Sequence, residues 1–299
     1  MRKVLVIAGP TASGKTAFSL KMAHLLNGEI ISGDSVQVYR GLDIGSGKIT
    51  ASEMEGIPHH LIDILGFEDQ YSAADFQKAA RHEIDTCSGF PIICGGTGLY
   101  LKACLYDYSF SEETEQEPAD PTLEALDNDT LYAMLKEADP IQSEKIHPHN
   151  RRRLLRSLTI YRRTGRPQSS IEQSQSHEMI YDTFIAGCTM DRDQLYARID
   201  RRVEGMIHDG LLNEVENLLK QGVSFESPCM HGIGYQEWKP YAEGNATVEE
   251  VTAEIQKHSR QYAKKQYTWL NHQMPVHWFN STDEEETKRM IQEIMIWAK

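Results

Sequence analysis

Residues 3–26 read KVLVIAGPTASGKTAFSLKMAHLL, and their order decides the fold. VLVIAG (4–9) is a continuous apolar run of buried-strand length. KTAFSLKMAHLL has helical apolar spacing and stops at Asn27-Gly28. Between them, Gly9, Gly14, Lys15 and Thr16 fit G-x-x-x-x-G-K-[ST], after a strand and opening a helix. Glycines let backbone N–H groups turn inward around a phosphate, and the helix N-terminus adds partial positive charge. Lys15 supplies a full charge, and the Thr16 hydroxyl suits a Mg²⁺ ligand. The motif predicts a diphosphate or polyphosphate with Mg²⁺; it does not specify a nucleotide.

Outward from this loop, strand-like and helix-like patterns alternate. EIISGDS (29–35), HHLIDIL (59–65) and PIIC (91–94) read as strands, and Ser72 with Asp75 begins a helix as a capping box that ends near Gly89. Such alternation implies a parallel sheet flanked by helices, an α/β, P-loop NTPase-like core. The pattern breaks near residue 110 at the acidic, Pro-containing SEETEQEPADP. Residues 121–166 look helical, RPQSSIEQSQSH reads as a loop, and TFIAGCTM resumes the strands at 183. The expected organisation is a core of 1–115 and 184–299 with an inserted helical domain at 116–183. Helical patterns at 192–221 and 247–272, a strand PVHWF (275–279) and a terminal helix complete the core.

The chain has 299 residues, 40% hydrophobic and 25% charged, with a net charge of −13. Taken alone, that charge argues against nucleic acid. It is unevenly spread: RRRLLRSLTIYRRTGR (151–166) holds seven arginines and no acid, and KHSRQYAKKQ (257–266) is a second basic run. The five cysteines show no CxxC spacing and read as reduced core residues rather than a zinc site. No apolar run approaches the ~18–20 residues of a membrane span. With a buried strand at the start and no signal-like segment before it, a cytoplasmic enzyme is expected.

Asp34 falls where the second strand should end, the edge at which open parallel sheets bind ligands. A carboxylate there holds metal, orients a polar acceptor or takes a proton, or it merely caps the next turn. GGTG (95–98) follows a strand in the same way, either as a close-approach turn offering the Thr97 hydroxyl or as a plain strand-to-helix turn. Arg198 and Arg202 share a helix face, set either to clamp a diphosphate or to pair with Asp200 and Glu204. HGIGYQEW (231–238) suits stacking on unpaired bases, though core packing explains Tyr235 and Trp238 equally well.

GPTASGKT, DSVQVYRGLDIGSGK, HHLID, YSAADF, GGTGLYLKA, HPHNRRRLLRSL, RTGRP, GIGYQE and YAKKQYTWL, in this order over nearly the whole chain, resemble the bacterial tRNA dimethylallyltransferases. The resemblance implies transfer of a dimethylallyl group from dimethylallyl diphosphate to N6 of the adenine just 3′ of the anticodon. The tRNAs concerned read codons beginning with U. It implies that Gly9, Thr11, Ala12, Ser13, Gly14, Lys15 and Thr16 hold the diphosphate with Arg198, and that Asp34 is the general base. Thr97 lies near the reacting groups, and Thr16 serves Mg²⁺. It implies tRNA contacts from Asp34, Ser35, Val36, Gln37, Thr97, Arg152, Arg153 and Arg156, and from His231, Gly232, Ile233, Gly234, Tyr235 and Gln236. The insertion embraces the anticodon stem-loop, and a monomer is expected. HNRRR departs from the family's usual residues before the insertion's arginines, and the C-terminal zinc finger of eukaryotic relatives is missing. Other classes share parts of the pattern. A small-metabolite kinase would use the loop and core, and a prenyltransferase of free AMP or ADP would need no basic insertion. A GTPase-like switch lacks its N/TKxD guanine-reading motif.

Overall fold

The computed structural model describes residues 1–108, 110 and 120–299, in two compact units, Met1–Leu105 with Met179–Lys299 and Tyr106–Glu178. The boundary expected at 115/116 lies outside the described residues, as does most of SEETEQEPADP.

In the first unit, β1 (Lys3–Ala8), β2 (Gly28–Gly33), β3 (His59–His60), β4 (Phe90–Gly95), β5 (Asp182–Thr189) and β6 (His277–Asn280) form one all-parallel sheet in the order β3-β2-β4-β1-β5-β6. Parallel pairing requires crossovers, and helices supply them. These begin with α1 (Lys15–Leu26), α2 (Ala73–Thr86) and α3 (Gly98–Leu105). α1 stops where Asn27 turns left-handed, at φ 49°. α2 opens on the capping box of Ser72 and Asp75, each side chain accepting the other's backbone N–H. Leu5, Ile7 and Ile92 of the central strands are fully buried against Met22 of α1 and Ile294. Truncating such a side chain to alanine costs about 2–5 kcal/mol, because the tight core leaves a cavity.

The second unit contains α4 (Pro121–Glu124), α5 (Asn128–Ala138), α6 (Pro140–Lys145), α7 (Arg151–Thr164) and α8 (Gln168–Gln173), packed around Leu131, Leu135, Leu154 and Leu158. α8 falls in the stretch expected to be a loop. Its first turn is held by buried Asp139, which accepts from the Ser169 backbone N–H at 2.8 Å and hydroxyl at 2.6 Å. That partner is thirty residues away in sequence, beyond the reach of local pattern.

The first unit resumes with α9 (Arg192–His208), α10 (Leu211–Lys220), α11 (Lys239–Ala242), α12 (Val248–Gln273) and α13 (Glu284–Ala298). The single helix expected over 192–221 is therefore two, broken at Gly210 with φ 103°. The strand expected over 59–65 shrinks to two residues, because Leu61 and Asp63 take φ of 60° and 56°. Asp63 is drawn aside by Lys48, whose buried ammonium also binds Asp43. Among the described residues, no helix is long and apolar enough to cross a membrane.

Candidate active site

The sheet register places the predicted loops side by side. Ala8 of β1 and Gly33 of β2 both pair with Gly95 of β4. The loop after β1 and Asp34 after β2 thus leave the same sheet edge with one strand between them. Two strand spacings put them about 10 Å apart, room for a phosphate ester and its acceptor.

The loop after β1 needs its glycines. Gly9 sits at φ 143°, and a Cβ there would run into the Cys188 carbonyl. Gly14 caps α1 at φ 89° with no side chain closing the helix N-terminus, and no acid lies in the first turn. The leading N–H groups of α1 therefore remain available to an anion. Lys15 Nζ donates to the Pro10 carbonyl at 2.7 Å, folding its ammonium over the loop. Burial pulls this ammonium below its ordinary value of 10.5, and the negative charge of Asp34 opposes the shift. The Ser13 hydroxyl is buried and has no partner among the described residues, an unmet polar group inside the cradle.

Two cavities meet at this loop. The first, of about 310 Å³, is lined by Thr11, Lys15 and Thr16 of the loop, by Asp34–Gln37, by Gly45–Gly47, and by His231–Gly234. α9 and α12 add Arg202, Tyr262, Gln266 and the apolar Ile199, Val203, Met206 and Ile255. The second, of about 620 Å³, opens on Ala12–Ala17 and three arginines, Arg198, Arg201 and Arg202. Lys15, Thr16 and Arg202 line both.

Asp34 caps the turn that follows it and also lines the cavity. Its Oδ1 accepts from the backbone N–H of Val36 at 2.8 Å and of Gln37 at 3.3 Å, a side-chain turn that holds the loop. Its second carboxylate oxygen accepts no hydrogen bond among the described residues, while Asp34 lines the cavity. The turn orients the carboxylate and engages one of its two oxygens.

The two arginines of α9 also separate. Neither pairs with a carboxylate among the described residues; Asp200 is engaged by Arg260 instead. Arg198 is exposed and borders only the second cavity. Arg202 is half-buried, and its guanidinium contacts the Ser46 carbonyl at 3.5 Å. It lies so close over Gly47 that a Cβ there would collide with it. Burial disfavours its charged form and the Asp34 carboxylate counteracts that. A desolvated arginine without a carboxylate partner is a strong anion subsite.

Thr97 is not part of the cavity wall; it neighbours Tyr262, which is. Gln266 stands outside the candidate site residues, yet it joins two of the predicted loops. Its Oε1 accepts from the Thr11 N–H at 2.9 Å, and its Nε2 donates to the Gly96 carbonyl at 3.0 Å. The signal in the sequence is a glutamine on the helix stripe shared by Val251, Ile255, Ala263 and Leu270.

Within HGIGYQEW, His231 and Gln236 are exposed, whereas Tyr235 and Trp238 are fully buried. The core-packing alternative thus describes both rings, and Tyr235 presents no face to a base. In the helical unit, Arg152, Arg153 and Arg156 lie exposed on one face of α7 without ion pairs among the described residues. The full set of seven arginines is not uncompensated. Arg151 donates to the Leu126 and Glu124 carbonyls, and Arg162 pairs with Asp120 at 2.5 Å. Cys104, Cys188 and Cys229 are buried free thiols.

Known proteins resemble this chain over nearly its whole length. The family model described as IPP transferase matches residues 37–273. A tRNA dimethylallyltransferase of Anoxybacillus flavithermus is 45% identical over 296 residues, covering 98% of this chain and 95% of that protein. The crystal structure of a tRNA delta(2)-isopentenylpyrophosphate transferase from Staphylococcus epidermidis is 42% identical, with a TM-score of 0.73 over 99% of this chain and 98% of the other. A eukaryotic dimethylallyltransferase crystallised acting on tRNA is 28% identical, with a TM-score of 0.85 over 99% of this chain and 80% of the other. Full-length matches at this identity leave one conclusion: the chain belongs to the IPP transferase family, whose curated relatives are tRNA dimethylallyltransferases.

Proposed function

We propose that this chain transfers the dimethylallyl group of dimethylallyl diphosphate to N6 of the adenine 3′-adjacent to the anticodon. The acceptors are tRNAs reading codons that begin with U, and diphosphate is released. The observation that carries this reading is one cavity containing a phosphate cradle, a desolvated arginine and a half-engaged carboxylate. A phosphate cradle alone would suit a kinase equally well.

The residues divide the work. The Ala12–Thr16 amides, Lys15 and Arg202 stabilise the charge that gathers on the departing diphosphate, with Arg198 at the outer mouth. The allylic C1–O bond breaks, and that carbon bonds to the adenine N6. Ile199, Val203, Met206 and Ile255 give the wall an apolar face that keeps water from the developing cation. N6 is a weak nucleophile, because its lone pair is delocalised into the ring. The unengaged oxygen of Asp34 accepts its proton as the new bond forms. Ser35, Val36, Gln37 and His231–Gly234 border the acceptor's side, and Thr97 positions Tyr262. Arg152, Arg153 and Arg156 supply phosphate contacts to the anticodon stem-loop, offsetting the few kcal/mol, roughly, of unstacking the adenine.

The donor set suits a Mg²⁺ shared with the substrate. Among the described residues, no group of three or more His, Cys, Asp or Glu could hold a metal, while the Thr16 hydroxyl stands exposed at the cradle. Mg²⁺ bound there would neutralise charge on the leaving diphosphate. We take the protein to act as a monomer, in the cytoplasm where tRNA is found.

The test is mass spectrometry of nucleosides from tRNA incubated with the protein, dimethylallyl diphosphate and Mg²⁺. A prenylated adenosine is expected, with ATP left intact. Transfer of the ATP γ-phosphate with tRNA unmodified would establish a kinase instead.

A further inference from the structure

Glu214 lies in the first turn of α10, outside every motif discussed above, yet its carboxylate is the most heavily engaged acidic group near the cavity. Its Oε2 accepts from the backbone N–H of Asp43 at 3.0 Å and of Ile44 at 2.8 Å. Its Oε1 accepts from the Gly45 N–H at 3.1 Å and the Tyr235 hydroxyl at 2.7 Å. The Tyr235 oxygen in turn accepts from the Ser46 N–H at 3.1 Å. Four consecutive amides, 43 to 46, therefore point at one carboxylate–phenol unit. No lysine or arginine pairs with Glu214 among the described residues. Backbone N–H groups and the Tyr235 hydroxyl compensate its charge, as in an anion-binding nest. The fully buried Tyr235 ring packs on Gly45, and burial together with Glu214 raises the phenol's affinity for its proton, so it remains a donor.

The loop so gripped is a wall of the cavity. Gly45, Ser46 and Gly47 line it, and their carbonyls carry two cavity side chains. Gln37 Nε2 donates to Ser46 and Gly47 at 3.5 and 3.4 Å, and Arg202 contacts Ser46 at 3.5 Å. These long contacts grip the loop weakly. Its own turn closes through Gly47 N–H to Ile44 and Lys48 N–H to Asp43, both at 2.9 Å, and Glu214 and Tyr235 fasten that turn from behind.

We propose that Glu214, seconded by Tyr235, is a positioning residue for the transfer reaction. It clamps the 43–47 loop so that Gln37 and Arg202 face the reacting groups. The proposal rests on the dimethylallyl-transfer reading above. Replacing Glu214 by glutamine leaves one acceptor oxygen where there were two, and turns an NH₂ toward backbone donors. Charge-assisted hydrogen bonds of this kind make the expected fall in kcat at least about tenfold. The affinity for inorganic pyrophosphate should fall by less than kcat does, because the Ala12–Thr16 amides and Lys15 do not depend on the clamp and only the Arg202 contact does. Tyr235→Phe keeps the ring and the Glu214 carboxylate but removes the phenol oxygen that donates to Glu214 and accepts from the Ser46 N–H, so it should shift kcat the same way by less; it also serves if Glu214→Gln fails to fold. Glu216→Gln, on the exposed side of the same helix, should leave kcat unchanged.

Amide exchange provides a readout that needs no turnover. Glu214→Gln should speed exchange at residues 43–46 and leave 12–16 protected. Equal losses of kcat and pyrophosphate affinity, an unchanged kcat, or undisturbed protection at 43–46 would each overturn the proposal. A wild-type protein that makes no prenylated adenosine would defeat the proposed function, while the exchange result would still judge the clamp.

Discussion

Two helices of this protein are rich in arginine, and they use it in opposite ways. α7 carries Arg152, Arg153 and Arg156 in open solvent. α9 turns Arg202 inward, beside Asp34 and over Gly47, where burial works against its charge. The difference is desolvation. An exposed guanidinium attracts any phosphate weakly and is screened by salt. A desolvated guanidinium acts at one point and resists screening. Arg151 and Arg162 show a third use, as ties within the helical unit, although the sequence presents them identically.

The contrast can be tested from the strongest expected effect downward. Asp34→Ala should lower kcat by about 10²–10⁴-fold, the usual contribution of a general base, with tRNA affinity mostly retained. Unchanged turnover in single-turnover assays would remove Asp34 from the chemistry and leave it a turn residue. Arg202→Ala should cost about 10–100-fold in kcat/KM for the donor, and Arg198→Ala distinctly less. The reverse order would return the clamp to the exposed arginine. Replacing Arg152, Arg153 and Arg156 together should weaken tRNA binding at low salt and make log K against log salt shallower by about 2–3. Titrations in which Arg202→Ala changed that slope equally would erase the distinction between the two helices. The smallest effect concerns pH. Burial lowers the Lys15 pKa, so the empty cradle loses this charge as pH rises, before a free lysine would. Pyrophosphate affinity should then fall on the alkaline side and recover as pH is lowered. Lys15→Met should abolish that limb; persistence of the limb would assign it to another group.

Local pattern carried much of this molecule. The phosphate loop is legible because each residue answers a local demand: glycine at φ 143° and 89°, lysine, hydroxyl, helix start. The capping box of α2 and the buried strands β1 and β4 are legible for the same reason. Where distant partners decide, the sequence is mute. The 59–65 strand fails because Lys48 takes Asp63. α8 forms because Asp139 reaches Ser169. Gln266 joins Thr11 to Gly96 across 255 and 170 residues.

The sequence by itself determined the parallel core, the phosphate cradle and the carboxylate after the second strand. Those follow from periodicity and backbone stereochemistry, which act over a few residues. Only the tertiary structure decided which arginine is desolvated, which tyrosine is a strut, and which glutamate holds the cavity wall. Burial and charge compensation belong to neighbourhoods assembled from distant segments, and a side chain's chemistry depends on them.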